Sequence, residues 1–168
     1  MKLTMLRLGL LMLFALMTFG CNGGKVGVVN PDLAYQNSTA SEKGSAYLRD
    51  IGSALEGELR KLEESVNTAK TKQQKEAAQA VMQQAVMAIQ QRFNAEQQHV
   101  INAISQVYKQ ALDNCRQKLG LDLILPGEAV LSYNSDLDIT GKITEEMNAI
   151  PLDLKPLQDA AEGAKAAQ

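Results

Sequence analysis

The sequence predicts an α+β protein: a long antiparallel helical hairpin, a coiled-coil tentacle, carried on a small oligomeric β body. Three observations predict it. No proline occurs between Ser41 and Leu119, and apolar residues recur there at helical spacing. A polar stretch, Asn67 to Ala77, divides that region into two apolar seams. Short β-branched segments lie on either side of it.

The predicted divisions are a signal peptide over 1–20, a tether over 21–24, a β body from 25–38 and 119–150, a helical hairpin over 39–118 and a mobile tail over 151–168. Lys2 and Arg7 form a positive start, and the apolar run Leu8 to Phe19 follows. That run is shorter than the roughly 20 residues needed to cross a bilayer, so it reads as an export signal. Met17-Thr18-Phe19-Gly20-Cys21 resembles a bacterial lipobox. Cys21 is then the lipidation site, and acyl chains hold the protein to an envelope membrane. Ordinary cleavage before Cys21 is the competing reading.

In the first seam Leu48, Ile51, Leu55, Leu59, Leu62, Val66 and Ala69 recur every three or four residues. Val81, Ala85, Ile89, Phe93, Val100, Ile104, Val107, Ala111 and Cys115 form the second. Both segments are rich in helix formers. Each stripe needs a partner, and a reversal within 67–77 lets them cover each other. Gly52 and Gly57 are candidate flex points in the first arm. Residues 73–117 contain twelve Gln, so the surface of the second arm is polar but weakly charged. Lys70, Lys72 and Lys75 make a basic patch at the tip.

Lys25 to Asn30, Leu121 to Leu125 and Ala129 to Tyr133 read as strands. Gly120 stops the second arm, and Thr140 reads as the N-cap of a last helix. Three short strands bury too little area to stand alone. Their open edges point to a body shared between identical copies.

The chemistry of most enzymes is missing. His99 is the single histidine, and Glu96-Gln97-Gln98-His99 supplies only one of the two Glu-x-x-His motifs a di-iron bundle needs. No phosphate-binding loop, nucleophile elbow or Cys/His cluster occurs. The expectation is no enzyme, no metal and no cofactor. A formal charge of −2 argues against nucleic acid as a partner. Cys115, on the apolar side of the second arm, reads as a small core residue.

The order β, long hairpin, β, β, short helix resembles the Skp/OmpH family of periplasmic chaperones. Lys25-Val26-Gly27-Val28-Val29-Asn30 with Gln36-Asn37-Ser38, and Leu121 to Leu125, Ala129 to Asn134 and Asp138-Ile139-Thr140, carry the likeness. It implies a homotrimer whose β-barrel body joins the subunits. It further implies helical tentacles around a cavity that holds unfolded outer-membrane or other envelope proteins without ATP. Val86, Met87, Ile101 and Tyr108, flanking the seam, are the expected client-binding residues. The chain departs from the family in its mild acidity, its lipid anchor and its tail. A structural coiled-coil lipoprotein, acting as spacer or scaffold in the envelope, is the alternative function.

Overall fold

A computed structural model describes residues 24–157. The signal peptide, Cys21 and residues 158–168 of the tail lie outside the described residues. Strand β1 spans Val26–Val29 and helix α1 spans Pro31–Gln36. The two arms are α2, Thr39–Thr68, and α3, Lys72–Leu119. Strand β2, Leu123–Pro126, and helix α4, Thr140–Ala149, complete the body.

Local chemistry fixes each boundary. The Asn30 side chain accepts from the Leu33 N–H at 3.1 Å, and Pro31 opens α1 without losing a needed donor. Ser38 caps α2 by accepting from the Ser41 N–H at 3.2 Å. The reversal falls at Ala69–Lys70–Thr71. There Thr71 and Gln74 form a capping box, each side chain accepting from the other's backbone N–H, at 3.2 and 3.3 Å. Gly120 ends α3 at φ +60°, a left-handed conformation that suits glycine, and the Leu121 N–H closes the turn onto the Arg116 carbonyl at 2.9 Å. Arg116 and Lys118 complement the negative end of the helix.

α2 has 30 residues and α3 has 48, or about 45 and 72 Å at 1.5 Å per residue. The excess of α3 runs past the start of α2 and becomes part of the body. Its Val107, Ala111 and Cys115 form one core with Val29, Ala34, Ala40, Ile139, Ile143 and Met147. Ile143 and Met147 are fully buried. The body is therefore built largely of helix. Thr140 helps to join it by accepting the Asn30 N–H at 2.9 Å. Thr140 is thus not the side-chain cap expected for α4; the Asp138 carboxylate accepts the Thr140 N–H instead, at 2.8 Å.

The sheet is smaller than expected. β1 and β2 pair in parallel, from Val26 opposite Leu123 to Val29 opposite Pro126. The hairpin is the long crossover that parallel pairing demands. The strand expected over 129–133 does not form. Residues Gly127–Ala129 make a 3-10 turn and the Leu131 side chain stands wholly in solvent, so the segment does not add to the free edge of β2. Among the described residues there are two strands and no barrel within one chain. The sheet is not left to stand alone, since the core of α1, α3 and α4 includes Val29 and is flanked by Ile124. Part of the expected tail is also placed: residues 151–157 take an extended path, and the Leu157 N–H donates to Glu96 Oε1 at 2.9 Å.

Candidate functional site

The two seams meet between α2 and α3. Every residue of the first seam is buried or half-buried, Leu55 most completely. In the second seam the seven-residue step from Phe93 to Val100 is filled by Glu96, which is fully buried. Val81 stands outside the seam and Met82 occupies its place. Gly44 lets the arms approach closely at their root: a Cβ there would lie 2.8 Å from both Ile104 Cδ1 and Val100 Cγ1.

Large apolar side chains project from α3 away from this seam. Val81, Val86, Met87 and Ile101 are 53%, 45%, 62% and 55% exposed, figures that set them apart from the covered seam residues. Val86, Met87 and Ile101 fall within about 100° of one another around the helix, at 100° per residue. The polar residues beside them are mostly Gln and Asn, and Gln90–Asn94 and Gln98–Asn102 form hydrogen-bonded pairs at 3.0 Å. The surface thus alternates apolar side chains with uncharged amides. Tyr108 does not join it. It stacks on Tyr35 in the body, ring centroids 4.7 Å apart, and burial pushes both phenols above their ordinary pKa.

Lys70, Lys72 and Lys75 lie exposed around the tip. Lys72 faces Glu76 at 3.9 Å, one turn along the same helix, a surface pair worth little in water.

A polar cluster sits midway along the hairpin. Tyr47 of α2 donates to Glu96 Oε2 at 2.8 Å. Burial, then the bond to Glu96, pushes the Tyr47 phenol up to about 12. Arg92 lies 3.6 Å from Glu58, a further cross-arm pair. His99 keeps Nε2 buried with no hydrogen-bond partner among the described residues. The helical pattern of apolar residues gave no sign of Glu96; the seven-residue gap in the seam was the one clue.

Cys115 is buried in the body. Desolvation, then the Glu146 carboxylate, raises its thiol pKa, so it is a packed thiol and not an activated one. Among the described residues no group of His, Cys, Asp and Glu is placed to hold a metal ion. No described helix is long and apolar enough to cross a membrane.

A strand pair joined through a long α-hairpin, with a helical body at its root, defines an architecture of tentacle type. A family model described as "Outer membrane protein (OmpH-like)" matches residues 25–147. The chain belongs to the OmpH-like outer membrane protein family. Among solved structures, one from Caulobacter crescentus, to which the role of an OmpH-like outer membrane chaperone is ascribed, is similar at 20% identity. Its TM-score is 0.46, and the match covers 84% of this chain and 96% of that one. No curated protein matches the chain.

Proposed function

We propose that the protein is an ATP-independent holdase chaperone of the periplasm, binding unfolded outer-membrane proteins between helical tentacles. The observation that carries this reading is the exposed trio Val86, Met87 and Ile101 on a Gln-rich, weakly charged arm. Apolar side chains separated by amides offer many weak contacts to exposed apolar groups of an unfolded chain. Met adapts its shape to varied partners. No single contact is strong, so release needs no fuel. Membership of the OmpH-like family supports the same reading.

Closed homo-oligomers, trimers in this reading, supply the enclosed space. β2 leaves one edge unpaired, and Leu123 in it and Leu131 and Tyr133 in the segment that follows are exposed. Copies join there, and their strand pairs complete a shared β-barrel body. Cys21, lipidated after export, tethers the assembly to an envelope membrane. The basic tip, Lys70, Lys72 and Lys75, meets acidic groups of clients at the mouth of the space. No catalytic step is involved.

Light scattering tests this reading. A urea-unfolded outer-membrane barrel protein is diluted into buffer with and without the protein, in the absence of ATP. Scattering falls at stoichiometric ratio in the holdase reading. Undiminished scattering at excess protein refutes it, and a single defined partner recovered from crosslinked envelopes favours the spacer.

A further inference from the structure

The segment after α4 reads Pro151-Leu152-Asp153-Leu154-Lys155-Pro156-Leu157. Its apolar and polar residues alternate over 152–155, the period of a half-buried strand. Leu152 and Leu154 are half-buried, whereas Asp153 and Lys155 are exposed and pair at 2.9 Å. Yet the segment pairs with no strand. Ile150 to Asp153 line a cavity of about 220 Å³ with Ala103, Gln106, Val107 and Gln110 of α3. Leu157 then donates its N–H to Glu96 Oε1 at 2.9 Å. Glu96 lies about 10–20 Å further along the helix from that cavity wall. Seven extended residues span up to about 23 Å, so the segment is a strap laid along α3.

We propose that this strap occupies a docking track for an extended stretch of unfolded polypeptide with the same alternation of apolar and polar residues, and that such a stretch displaces it. The inference rests on the chaperone reading and adds to it a second surface. By helical spacing the track flanks the seam on the side opposite Val86, Met87 and Ile101.

Recognition on this track is independent of sequence. Glu96 Oε1 takes a backbone N–H, which every residue but proline offers. The cavity wall takes any apolar side chain that comes at alternate positions. The strap is also easy to lift. A buried carboxylate is costly to keep dry, so water that reaches Oε1 on release offsets the lost bond.

The test uses the full chain and a Leu152→Ser/Leu154→Ser double variant. The probe is a fluorescent peptide alternating Leu with Ser and Lys, read by anisotropy. If the strap is closed nine-tenths of the time, freeing it tightens peptide binding about tenfold. In the unaltered chain, saturating peptide should speed hydrogen exchange at the Leu157 amide, whose N–H the strap holds on Glu96. Equal affinity of the two proteins, or unchanged exchange with peptide bound, overturns the strap. Failure of both to bind peptide while scattering by an unfolded barrel protein is still suppressed overturns the track and leaves the holdase. Failure of both to bind peptide or to suppress scattering overturns the holdase and the strap with it. The exchange measurement needs no variant, so misfolding of the double variant does not protect the proposal.

Discussion

Tyr47 of α2 donates its phenolic proton to Glu96 of α3 at 2.8 Å, and so pins the two arms together at a carboxylate shut away from water. Burying a charge inside a coiled-coil seam is unfavourable unless its oxygens are satisfied. Here one oxygen takes the phenol and the other takes the Leu157 amide. The hairpin and the C-terminal strap therefore share a single latch.

Tyr47→Phe removes the donor and leaves Glu96 Oε2 buried without it. The expected loss is about 1–3 kcal/mol, measured as a lowered urea midpoint with unchanged slope. The same bond gives a pH signature. The Tyr47 phenol is pushed up from 10.0 to about 12. A raised folded pKa means stability is intact below pH 10 and is lost as pH climbs through 12. Ultraviolet difference titration should show a tyrosine ionising late, and that late step should vanish in Tyr47→Phe.

Gly44 and Gly57 make a paired test of the hairpin. Gly57 has open space where a Cβ would stand, so Gly57→Ala should stabilise by up to about 1 kcal/mol through helix propensity. Gly44→Val drives a branched side chain into Ile104 and Val100 and should destabilise by about 1–3 kcal/mol. Thermal melts of the two variants check the opposite signs.

At the tip, Thr71→Ala breaks the capping box with Gln74. The expected cost is about 1 kcal/mol. The loss should be local, visible as faster hydrogen exchange over the first turn of α3 with body amides unchanged.

Replacing Val86, Met87 and Ile101 together by Ser leaves the seam intact, since all three are exposed. Helicity should stay the same while suppression of barrel-protein scattering weakens several-fold. Tyr108→Phe, in contrast, should leave suppression unchanged because that ring belongs to the body.

The hairpin was legible because its signals are local and repeated. Leu48 to Val66 keep helical spacing through about five turns, and the lack of apolar residues over 70–76 marks the reversal near Thr71. The body was harder to read. Ile139, Ile143 and Met147 form a short stripe whose partners, Val107, Ala111 and Cys115, had already been spent on the hairpin seam. Sequence spacing does not reveal that α3 outruns α2 and changes partners. Ala129 to Tyr133 has strand composition but pairs with neither strand of its own chain, and composition alone does not fix pairing. Of the candidate site, Val86, Met87 and Ile101 lie exposed on the arm, whereas Tyr108 was drawn inward by Tyr35, a contact between residues far apart in the chain. Glu96 eluded the pattern because a charged residue in a seam looks like an interruption of it.

Native mass spectrometry of the protein mixed with a urea-unfolded outer-membrane barrel protein, at low ionic strength and without nucleotide, tests the central claim most directly. The account predicts a trimer carrying one client chain. Separate client and single protomers, with no complex between them at excess protein, would contradict it.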